Sequence, residues 1–85
     1  MKPRLTTIYR SPKEEGLYLY VDKSDDLSRV PEELLKRFGK PELAMRLLLD
    51  SHRKLARADS IKVLQAVETQ GFYLQLPPLK ESLLK

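Results

Sequence analysis

Cysteine and tryptophan are missing, histidine occurs once, and glycine occurs three times in 85 residues. Without cysteine there is no disulfide framework, no thiolate metal site and no cysteine nucleophile. The three glycines, Gly16, Gly39 and Gly71, stand too far apart for a G-x-G-x-x-G or Walker loop, so the usual nucleotide cradles are excluded. No apolar run approaches the roughly 20 residues that span a bilayer. The basic start, Met1-Lys2-Pro3-Arg4, is not followed by the apolar core of a secretory leader. A soluble cytoplasmic protein is expected, one domain over residues 1–85 with 1–4 and 79–85 as flanking segments.

What is present is 41% hydrophobic and 33% charged, with 16 Lys or Arg against 12 Asp or Glu. A domain of this size buries only about 60–65% of its unfolded surface. Nearly every apolar side chain is therefore needed for the core.

Residues 5–10 read as a strand, with Leu5, Thr7 and Tyr9 alternating with Thr6, Ile8 and Arg10. The segment Ser11-Pro12-Lys13-Glu14-Glu15-Gly16 breaks it. Residues 17–23 form a second strand, with Leu17, Leu19 and Val21 on one side and Tyr18, Tyr20 and Asp22 on the other. The pair suggests an antiparallel hairpin. A helix is expected to begin at Pro31, whose missing N–H costs nothing in the first turn. Glu32 and Glu33 then precede Lys36 and Arg37, the order that suits the macrodipole, and Gly39 stops the helix.

Residues 43–49 are ambiguous. They contain good helix formers, yet they also suit a buried strand with Leu43, Met45, Leu47 and Leu49 facing one way. Residues 51–58 are basic and loop-like or weakly helical. Asp59 is a good N-cap for a helix carrying Ile61, Val63, Leu64 and Val67, which Gly71 stops. Residues 72–76 read as a last strand closed by Pro77 and Pro78, followed by a short helical pattern in Leu79, Leu83 and Leu84.

Several stretches occur together in a familiar order: Ile8-Tyr9-Arg10-Ser11, Tyr18-Leu19-Tyr20-Val21, Ser28-Arg29-Val30-Pro31-Glu32-Glu33-Leu34, Phe38-Gly39 and Leu43-Ala44-Met45. Leu49-Asp50, Lys54-Leu55 and Gln70-Gly71-Phe72-Tyr73-Leu74-Gln75-Leu76-Pro77-Pro78 complete the set. In these the chain resembles the YcgL family, small bacterial proteins of uncharacterised function. The resemblance implies an α/β/α sandwich, a small sheet with helices on both faces. Family members carry a proline within the run matching residues 43–50, where this chain has Leu48; the resemblance favours a strand, while the residues alone leave a helix open. The expected fold class is thus α/β, a hairpin, helix, strand, helix and strand plus a short C-terminal helix. The resemblance brings no catalytic residues to carry over.

Chemistry has little material. His52 lies in His52-Arg53-Lys54, with no serine in a strained nucleophile elbow, and reads as an exposed surface histidine. Asp22, Asp25 and Asp26 cluster but lack the glycine and terminal glutamate of a calcium loop, and read as a solvated connector. No catalytic residue, metal site or cofactor is expected, and no small-molecule substrate or membrane partner is inferred.

Charge is unevenly spread. Residues 29–62 hold nine Lys or Arg and five Asp or Glu, the whole of the net +4. Arg53, Lys54 and Arg57, joined by Lys62, are the candidate phosphate- or partner-binding residues. Solubility alone also explains a charge of this size. The run Gly16-Leu17-Tyr18-Leu19-Tyr20-Val21 resembles the aromatic strand of RNA-recognition modules, but Glu15 stands where a basic residue belongs and the partner motif is missing. Covered on both faces, the sheet would bury these rings as core. A non-enzymatic interaction module with a protein partner is the leading expectation, and an RNA-binding accessory acting through the basic patch is the second.

Overall fold

The computed structural model describes residues 2–55 and 58–77. Six elements occur in order: β1 (Arg4–Arg10), β2 (Tyr18–Asp22), α1 (Glu32–Phe38), β3 (Glu42–Leu49), α2 (Ser60–Gln70) and β4 (Tyr73–Gln75). The strands form one antiparallel sheet in the order β3-β1-β2-β4. The β1–β2 hairpin is as expected. Its loop is fastened by Ser11, whose hydroxyl donates to the Phe38 carbonyl at 2.5 Å and accepts from the Lys13 and Glu14 N–H groups. That one side chain ties the hairpin loop to the end of α1.

The ambiguous run is a strand. Arg4 through Ile8 pair with Leu49 through Met45 in unbroken register, and Tyr9 then pairs with Leu43. Ala44 is left over in a β-bulge, which lets the strand change which side its residues face. Met45, Leu47 and Leu49 share a side, as alternation predicts. Leu43 does not join them, because the extra residue turns it to the side of Tyr9. Half of the expected buried row is exposed: Leu47 and Leu49 are covered, whereas Leu43 and Met45 are 50% and 48% exposed.

A helix packs on each side of the sheet, giving the α/β/α layering, although Leu5, Leu43 and Leu48 on the α1 side stay about half exposed. On one face Ile8, Tyr20, Leu47 and Leu49 pack against Val63, Leu64 and Val67 of α2. On the other, Leu17, Leu19 and Val21 pack against Phe38 and Val30, with Leu34 and Leu35 alongside. Each such side chain contributes about 1.5–3 kcal/mol when fully buried. The helix face of α2 follows from the spacing of Ser60, Val63, Leu64 and Val67, all buried.

Helix ends differ slightly from expectation. Pro31 is the N-cap of α1 rather than its first residue, and its carbonyl accepts from the Leu34 and Leu35 N–H groups. An extended ψ of 141° places Pro31 just outside the helix. The side chain of Asp59 caps α2 through the Ile61 N–H at 2.9 Å. Gly71 ends it in the left-handed conformation, φ 93°, donating to the Ala66 and Val67 carbonyls. Residues 51–55 and 58–59 carry no helix, and β4 is three residues rather than five. The short helical pattern after Pro78 lies outside the described residues.

A polar tie closes the far end of the α2 face. Arg4 bridges Asp22 at 3.1 Å and reaches Glu68 at 3.9 Å. The Ser24 hydroxyl and N–H donate to Asp22, and with Arg4 they hold its carboxyl below the usual range against the opposing effect of burial.

Gly71 tests this packing. A Cβ there would meet Arg29 Cβ at 2.4 Å, and the positive φ disfavours any L side chain. Gly71→Ala is expected to lower stability by about 1–3 kcal/mol in urea unfolding, while Gln65→Ala on the exposed side of α2 changes it little.

Candidate ligand groove

α2 does not cover the whole of its face. At about 1.5 Å per residue its eleven residues reach roughly 16 Å, whereas the seven residues of β1 extend about 23 Å. The uncovered end of the sheet, roofed on one side by residues 53–55, is an open groove of about 650 Å³. Its floor crosses all four strands: Met45 and Leu47 of β3, Ile8 of β1, Tyr18 and Tyr20 of β2, and Gln75 of β4. The bulge adds Ala44 beside Met45, so two consecutive residues of one strand line the same cavity.

The loop that supplies the cations is pinned at both ends. Asp50 accepts from the His52 N–H through its side chain and from the Arg53 N–H through its carbonyl. The Ser60 hydroxyl donates to the Arg53 carbonyl, and Leu55 packs on the α2-side core. Arg53 and Lys54 are exposed and line the groove. Among the described residues no carboxylate belongs to the lining, and neither cation makes an ion pair.

The two tyrosines part company. Tyr20 is buried, its ring edge-on to Tyr73 with centroids 5.8 Å apart, and its hydroxyl donates to Gln75 Oε1 at 2.8 Å. Tyr18 is half-buried and keeps part of its ring in the groove with Arg53. The expectation that both rings serve as core therefore holds fully for one of them. Of the candidate binding residues, the structure brings Arg53 and Lys54 together. Lys62 is exposed on α2 and is not part of the groove wall, and Arg57 lies outside the described residues.

The other polar clusters are engaged locally. His52 is exposed and away from the groove wall. Asp22 holds Arg4 and Ser24, Asp25 faces Arg29 at 3.7 Å, and Asp26 accepts from the Tyr9 hydroxyl at 2.5 Å. Burial pushes the Tyr9 hydroxyl above its usual pKa, helped by the bond to Asp26 and its charge and opposed by Arg46. Among the described residues no three side chains of ligating type gather to hold a metal. The polar groups that face the groove are a guanidinium, an ammonium, an amide and phenols, which suit an anion or an amide more than bond-making chemistry.

The residues alone did not show the groove that Tyr18, Arg53 and Lys54 line together. The available signal was the expected length of the second helix set against the length of the strands beneath it.

Fold and site together define a small α/β/α sandwich with a cation-rimmed groove on one face. The YcgL domain model matches residues 6–78. The Protein YcgL of Shigella dysenteriae serotype 1 (strain Sd197) and that of Escherichia coli (strain K12 / DH10B) are each 60% identical to it over 84 residues. Those matches cover 99% of this chain and 78% of each relative. The chain belongs to the YcgL family. No helix among the described residues is long and apolar enough to cross a membrane.

The buried Tyr20–Gln75 bond shapes the groove floor. Tyr20→Phe is expected to lower stability by about 1 kcal/mol, read as a shift in the urea midpoint with an unchanged slope.

Proposed function

We propose that this protein is a non-enzymatic interaction module of the cytoplasm that engages another protein through the groove. The observation that supports this is the lining itself, an apolar floor bounded by Arg53 and Lys54 with no carboxylate among the described residues to neutralise them. Such a surface binds a ligand with an apolar part and a negative part. Its pinned loop holds the cations without a partner present, which reduces the ordering cost of binding.

RNA binding is the second reading, and the observation in its favour is that Tyr18 and Arg53 line the same groove. A single part-covered ring is a small stacking platform, since single-strand binders set successive bases on successive rings. Lys62 adds nothing to the groove wall, so the cationic tract there is two residues long among those described.

Affinity capture separates the two. With the protein as bait, the captured proteins are expected to remain after ribonuclease and deoxyribonuclease treatment of the lysate. Loss of all of them on nuclease treatment contradicts the module reading and favours RNA, in which case binding also falls steeply with salt.

A further inference from the structure

The groove's shape and chemistry name the kind of partner segment it takes, an inference that rests on the protein-binding reading above. We infer that the groove receives a short extended peptide segment that carries acidic residues next to one bulky apolar residue. The carboxylates meet Arg53 and Lys54, and the apolar side chain lies on Tyr18, Met45 and Leu47.

Charge selects the acidic part. Two cations face a cavity whose wall contains no acid among the described residues, and none of the four ion pairs there uses either of them. Apolar walls beside such charges strengthen their attraction for an anion. Arg46, next to Met45 in sequence, is no competitor, because its pairing with Thr7 turns it to the opposite face of the sheet. Among the described residues the anion is therefore met at one rim, by Arg53 and Lys54.

The floor selects the apolar part. Apart from Tyr18, Tyr20 and Gln75 its side chains are Ile8, Met45 and Leu47, of which Ile8 and Leu47 are buried. Met45 is 48% exposed, and an unbranched thioether fits varied apolar partners. Tyr20 has its ring edge-on to Tyr73 and its hydroxyl committed to Gln75, which leaves Tyr18 as the one tyrosine of the wall that is more than marginally exposed. That pattern suits a leucine, isoleucine, methionine or phenylalanine side chain better than a run of bases.

Dimensions set the length. Four strands spaced about 4.8 Å apart make a floor roughly 14 Å long, the reach of about four extended residues.

A random octapeptide display library selected against the full chain tests this directly. Enriched peptides are expected to carry one or more Asp or Glu beside a bulky apolar residue. Measured by fluorescence anisotropy, their affinity should fall at least tenfold for the Arg53→Glu, Lys54→Glu double variant and at least threefold for Met45→Gln. Leu48→Gln, on the opposite face and outside the groove, should leave it unchanged. Thermal unfolding of each variant confirms that these exposed substitutions keep the fold. Enrichment without acidic bias, no enrichment at all, or equal affinity for the double variant would overturn the inference. A uridine hexanucleotide displacing the selected peptides at lower concentration than they bind would also overturn it. Nuclease-resistant capture of proteins combined with any of these failures would leave the module reading standing and remove only the acidic peptide.

Discussion

Among the described residues two helices, of seven and eleven residues, cover a four-stranded sheet whose inner strands bury side chains on both sides. That mismatch of covering length to sheet length decides where the molecule is closed and where it stays open. α1 is fastened at its end by Ser11 and closes the half of its face above β2, where Leu19 and Val21 are fully buried. α2 closes the opposite face from the Arg4–Asp22 end and stops short of the other end. The uncovered remainder of that face is the groove, so the site is a product of the fold's economy of helix rather than an addition to it.

Much of this was legible from the residues. Alternation in Leu17, Leu19 and Val21 placed β2, and the capping roles of Asp59 and Gly71 bounded α2 to within a residue. These are local effects, carried by one side-chain bond or one backbone conformation, and such effects are written in short windows of sequence. Pro31 misled by one position because it suits both the cap and the first turn, and only the backbone angle separates them. The bulge at Ala44 was not legible. An inserted residue leaves no compositional mark when its neighbours are all apolar, and it appears only once Tyr9 is paired with Leu43 instead of Ala44.

The groove was less legible than the fold, for a related reason. Its residues come from four strands and a loop, and only Ala44-Met45 and Arg53-Lys54-Leu55 adjoin in sequence. Sheet order decides that Gln75 lies beside Tyr18, and the bulge decides that Ala44 and Met45 both face the cavity. Long-range pairing therefore assembled a site from residues that individually read as core or as solvated charge. Tyr18 shows the change most clearly, since the same side chain serves the core with one edge and the groove with the other.

The central claim is that one end of the α2 face stands open to solvent while the remainder of that face is covered. Methyl NMR with a soluble paramagnetic cosolute measures this most directly. The account predicts strong relaxation of the Met45 methyl, with the methyls of Leu19 and Leu49 shielded. A Met45 methyl as protected as that of Leu49 would mean that the groove is filled, and the account would be contradicted.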